Sequence, residues 1–175
     1  MPNWIRGSLK LRGTYENIKH FFMDGMMVYR YDWETSGHIP QPQETWLEVY
    51  DEPDDFEIVI LNNEWAHVTG TQRAFITNGT NIHIEKRQKL DAADDEPIII
   101  TVCEIQQAWS FKEDDWIDIS KKYGVDLKLY GIEAGNGITE EMIIINGNLL
   151  QHKVNKYGRN YDQFLWDCPI PWFGG

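Results

Sequence analysis

Only two stretches of this 175-residue chain carry a helical period, and each follows a strand-like segment. Thr14 can cap the first helix, and Ile18, Phe21, Phe22 and Met26 follow at i, i+3, i+4 and i+8 as one apolar stripe ending near Gly25. The second helix is punctuated more fully. Ser110 and Glu113 have the spacing of a capping box, Asp114 and Asp115 fall in the first turn, Lys121 and Lys122 in the last, and Gly124 stops it. Trp116, Ile119 and Tyr123 line its apolar side, so the acids of this helix have a structural explanation.

The rest reads as strands. Residues 4–12 form a first strand ending at Gly13. Residues 73–77 and 81–86 read as a hairpin around Asn78-Gly79, and Pro97 opens the β-branched run Ile98–Ile105, a central strand. Strands at 126–132, 141–145 and 149–154 follow, the last two joined at Asn146-Gly147. The residues His38-Ile39-Pro40-Gln41-Pro42 read as loop, and 56–61 as a strand. Helices set between antiparallel strands predict an α+β fold: a ferredoxin-like sandwich, with an antiparallel sheet and two helices on one face. One domain over 1–175 is expected, with an acidic insertion at 28–65 and a C-terminal extension at 156–175. That extension is aromatic, carrying Tyr161, Phe164, Trp166, Trp172 and Phe173, and reads as packing.

Charge separates the insertion from the rest. The chain has 28 acids and 16 bases, a net charge of −12. From Tyr31 to Gln72 there is no Lys or Arg, but there are ten acids: Asp32, Glu34, Glu44, Glu48, Asp51, Glu52, Asp54, Asp55, Glu57 and Glu64. The other 133 residues carry 18 acids and 16 bases, a net of −2. Trp33, Trp46, Trp65, Tyr50, Phe56 and the run Ile58–Leu61 give this segment enough apolar material to fold, unlike a disordered acidic tail. The overall balance argues against direct binding of nucleic acid or an anionic membrane, both of which reward clustered cations.

Motifs for chemistry are absent. His20, His38, His67, His83 and His152 make no i, i+4 pair and no HExxH, and Asp51, Asp54 and Asp55 lack the spacing of a calcium loop. The glycine-rich run from Gly131 to Gly137 has no GxxxxGK and reads as a hairpin corner. Cys103 and Cys168 form no CxxC pair and read as free, buried or half-buried thiols in a reducing compartment; the sequon at Asn78 reads only as a turn. The N-terminus has no apolar core of signal-peptide length, and no window approaches 18 uncharged apolar residues. These features predict no enzyme activity, no cofactor, no metal, no membrane span and a cytoplasmic location.

Several short segments, in this order, resemble the YubB-like family of phage and plasmid proteins. They are Met1-Pro2-Asn3-Trp4 with the strand to Gly13, Gly70-Thr71-Gln72-Arg73-Ala74-Phe75-Ile76, Gln107-Ala108-Trp109, the stretch from Ile119 to Asp126, and that from Tyr130 to Gly135. The likeness covers roughly 1–27 and 66–155. It implies a ferredoxin-like domain and a mobile-element origin in a bacterial host, and supplies no catalytic motif. The insertion and the tail fall outside it.

The acidic segment therefore carries the functional expectation. Carboxylates on a rigid patch can stand in for nucleic-acid phosphates and occupy the basic groove of a nucleic-acid-binding protein, with association steered by the field. The expected partner-binding residues are Glu44, Glu48, Asp51, Glu52, Asp54, Asp55 and Glu57, with Trp46, Tyr50 and Phe56 as desolvated anchors. A CRISPR effector nuclease is the first candidate partner, because such effectors hold guide and target in positively charged channels. The competing expectation is an assembly or homodimerisation module with no inhibitory activity.

Overall fold

A computed structural model describes residues 3–52, 55–61, 65–77, 81–85, 96–157, 163 and 166. Asp54, the Asn78-Gly79 turn, Cys168, the side chain of Cys103 and nearly all of the aromatic tail lie outside the described residues. The chain begins with β1 (Trp4–Gly13) and α1 (Tyr15–Asp24), followed by β2 (Met26–Met27). The acidic segment contributes β3 (Tyr29–Asp32), β4 (Gly37–Pro40), β5 (Leu47–Glu52) and β6 (Asp55–Ile60). Next come β7 (Trp65–Val68), β8 (Ala74–Thr77), β9 (Asn81–Glu85), β10 (Ile98–Ala108) and α2 (Glu113–Tyr123). The chain continues through β11 (Asp126–Glu133), β12 (Ile138–Ile145) and β13 (Asn148–Lys156).

The ferredoxin-like sandwich does not hold. Among the described residues the architecture is predominantly antiparallel β, with two α-helices against an eight-stranded sheet of order β13-β12-β11-β1-β10-β8-β7-β2, and two further sheets, β3-β4 and β5-β6-β9. The physical cause is extension at both edges. Hairpin β12–β13 continues the sheet beyond β11, and short strands β7 and β2 continue it beyond β8. The anticipated hairpin of 73–77 and 81–86 is also absent. Strand β8 pairs with β7 and β10, whereas β9 pairs with β6 in a different sheet. The segment expected to be a loop at His38–Pro42 is largely strand: Gly37–Pro40 pairs with β3, and Pro40 is tolerated because it lies on an edge.

The helices lie where their periods place them. The Thr14 hydroxyl accepts from the Asn17 backbone N–H, and α1 buries Tyr15, Ile18, Phe21 and Phe22 over β1 residues Ile5, Leu9 and Leu11. The capping box does not form, because α2 starts at Glu113 with Lys112 as the cap. A buried amide instead ties the start of the helix to the preceding strand. Gln107 Oε1 accepts from the Lys112 backbone N–H at 3.3 Å and from Trp116 Nε1 at 2.9 Å. Gly124 closes α2 in the left-handed region at φ 62°, as its position suggested. The sharp turns at Gly137 (φ 59°) and at Asn146-Gly147 also match the expected corners.

Candidate partner-binding surface

The acidic segment folds into the three-stranded sheet β5-β6-β9, in which alternation sorts charge from apolar bulk. On the inner side Leu47, Phe56, Ile58, Ile60, Ile82 and Ile84 are buried in the core. On the outer side Glu48, Tyr50 and Glu52 of β5 and His83 of β9 are exposed, while Glu57 of β6 is half-buried. Tyr50 stands opposite Glu57, and Glu57 opposite His83. In the next row the backbone register sets Glu52 opposite Asp55 and Asp55 opposite Glu85. Three acidic positions thus lie side by side in the backbone register across three strands spaced about 4.8 Å apart. The Tyr50 hydroxyl donates to Glu48 Oε2 at 3.1 Å, and the hydrogen bond to that carboxylate pushes the phenol pKa up.

The anticipated site residues do not all share this face. Trp46 and Phe56 are 2 % and 0 % exposed, so both are core side chains and neither is an anchor open to a partner. Asp51 belongs to the inner side of β5. Its carboxylate holds Lys19 of α1 at 2.6 Å, and the same ammonium sits 5.4 Å from the Phe56 ring centre. The hydrogen bond to Asp51 raises the Lys19 pKa. This contact fastens the acidic sheet to α1. Glu44 is exposed in the short 3-10 turn Gln43–Thr45 ahead of β5. The described outer face therefore consists of Glu48, Tyr50, Glu52 and Glu57, with His83 as a neighbour not foreseen.

Two other arrangements escaped the sequence reading. One is the β3–β4 hairpin, whose residues Tyr29, Tyr31, Trp33 and Ile39 are all exposed. Its turn is closed by Asp32, which accepts from the backbone N–H groups of Glu34 and Thr35 and from the Thr35 hydroxyl; these bonds hold the Asp32 carboxyl below its usual range. The available signal was the alternation Tyr29-x-Tyr31-x-Trp33. The other is His152, whose Nδ1 lies 2.5 Å from Glu113 Oε1 and whose Nε2 lies 2.6 Å from Glu140 Oε1. No local spacing could reveal it, since the three groups come from β13, α2 and β12.

Among the described residues no group of three or more His, Cys, Asp or Glu could hold a metal ion, and no helix is long and apolar enough to cross a membrane. No family model, curated protein or solved structure matches the chain.

Proposed function

We propose that this chain is a phage or mobile-element protein that acts by binding, and that it inhibits a nucleic-acid-binding host defence machine through the outer face of β5-β6-β9. The observation that carries the reading is the outer face of this sheet, where Glu48, Tyr50 and Glu52 are exposed beside Glu57 in a segment that has no Lys or Arg from Tyr31 to Gln72. A basic groove is the environment that complements such a face. A CRISPR effector nuclease is the first partner to test, because its nucleic-acid channels are positively charged. The resemblance of several segments to YubB-like proteins supports the mobile-element origin.

The test is a nuclease cleavage assay with the wild-type chain and a Glu48→Lys, Glu52→Lys, Glu57→Lys variant. Asp51 is left intact because it fastens the sheet to α1. The expected result is inhibition that weakens as salt rises and disappears in the triple variant with the fold unchanged. Inhibition that survives the three reversals overturns the mimic. A stable homodimer in light scattering, with no effect on any nuclease, favours the assembly module instead.

A further inference from the structure

We propose that a strip of aromatic rings, starting on the β3–β4 hairpin, docks arginine side chains of a basic protein partner. The strip begins where Trp33, 86 % exposed, packs edge-to-face on Tyr31 with ring centres 4.7 Å apart. Tyr29 is two residues from Tyr31 and so on the same side of the strand; its ring lies 6.0 Å from that of His67 on β7. His67 leads to Phe75 at 5.3 Å, and Phe75 to Trp4 at 6.0 Å. The far end is Arg73, whose guanidinium carbon lies 5.3 Å from the Trp4 ring centre and 5.9 Å from that of Trp109, itself 53 % exposed.

Three features select arginine as the occupant. First, ring faces carry negative potential and attract cations, guanidinium most often. Second, the strip already holds one guanidinium: Arg73 sits over both Trp4 and Trp109. Third, the charge around its free end is complementary. Asp32 and Glu34 flank Trp33, and no Lys or Arg occurs from Tyr31 to Gln72 to compete for the rings. Arg30 projects to the other side of β3 from Tyr29 and Tyr31. The hairpin is exposed on both faces and Trp33 buries little within the fold itself, and exposed aromatic surface marks an interaction site. These rings take the anchoring role that buried Trp46 and Phe56 cannot. The class of partner rests on the function proposed above; the ring geometry does not.

The experiment titrates the full chain, by tryptophan fluorescence, with an alternating arginine–glycine peptide, with its lysine–glycine counterpart and with oligothymidine. The variants are Trp33→Ala, Tyr31→Ala and Tyr31→Phe, each checked for an unchanged circular dichroism spectrum. The arginine peptide is expected to bind roughly 10-fold tighter than the lysine peptide, since guanidinium stacks on rings and ammonium does so less well. Trp33→Ala and Tyr31→Ala are each expected to weaken it by roughly 5-fold, with Tyr31→Phe near wild type. Equal affinity for both peptides, or indifference to Trp33→Ala, overturns the proposal. Tighter binding of oligothymidine overturns it in favour of a single-strand stacking platform. The two readings fail separately. Ring-dependent arginine selectivity without nuclease inhibition supports the strip and sinks the mimic. Inhibition lost on acidic-face reversal but untouched by Trp33→Ala sinks the strip and leaves the mimic.

Discussion

His152 holds a proton between two carboxylates, because both ring nitrogens face carboxylate oxygens and an imidazolium can donate to both. Burial opposes its charge, but the bonds to Glu113 and Glu140 outweigh burial and raise the pKa above the ordinary 6.5. Burial also raises Glu140, which is 2 % exposed, although His152, the Phe111 backbone N–H and the nearby Lys112 pull the other way. Both shifts have one sign for stability. The folded chain holds each proton more tightly than the unfolded chain, so stability falls as pH rises, from near 4.5 for Glu140 and from near 6.5 for His152. Glu113 is half exposed and Glu140 buried, and the bonds to both raise the His152 pKa. Urea unfolding at pH 6 should show His152→Gln less stable by about 3 kcal/mol, because it strands a buried carboxylate. The same variant should lose the part of the decline that begins near pH 6.5 and keep that of Glu140, which begins near 4.5; a pH profile identical to the wild type's excludes a contribution from His152.

At the scale of elements, β1 is the strand on which the large sheet depends, since it pairs with β10 on one side and β11 on the other. Gly7 faces Gly131 across the β1–β11 ladder, and a Cβ at Gly7 would stand 1.8 Å from the Tyr130 carbonyl oxygen. That neighbour is backbone and cannot turn aside. Gly7→Ala should therefore lower stability by about 3 kcal/mol in thermal or urea unfolding. Gly13→Ala, whose Cβ meets the Val125 side chain at 3.2 Å, should stay within about 1 kcal/mol. Equal losses would show that the close strand approach at Gly7 relaxes freely. Element positions were largely legible from the sequence. Both helices, the β-branched strand after Pro97 and the Asn146-Gly147 turn follow from local chemistry. The capping box failed because α2 starts at Glu113 with Lys112 as its cap, two residues beyond Ser110, while Gln107 of the preceding strand accepts from the Lys112 backbone N–H and the Trp116 indole.

For the whole molecule, the net charge resolves into an acidic sheet whose two sides answer to different forces. The inner side belongs to the core, so Phe56→Ala should cost about 3–5 kcal/mol. The outer side carries Glu48, Glu52 and Glu57. Glu52→Lys replaces a carboxylate facing Asp55 and should raise stability by about 0.2–1 kcal/mol while weakening binding to a basic partner. Opposite signs in the two stability measurements would identify the outer carboxylates as kept for binding. A destabilised Glu52→Lys would mean instead that this row supports the sheet.

The residues by themselves determined the two helices, the strand segments, most of the turns and the concentration of acid between Asp32 and Glu64. Each of these rests on a short-range cause: a period, a cap, a turn dipeptide or a run of composition. Only the tertiary structure decided which strands pair. It sent β8 and β9 to different sheets although only three residues separate them, and extended the main sheet to eight strands. It also divided the acidic segment, burying Trp46 and Phe56, pairing Asp51 with Lys19 of α1 and leaving Glu48, Tyr50, Glu52 and Glu57 on the outer side. The reason is that alternation along a strand sets two sides but does not say which one meets the core; that depends on register against strands distant in sequence. The aromatic strip and the His152 cluster share that origin, since each is assembled from elements far apart along the chain.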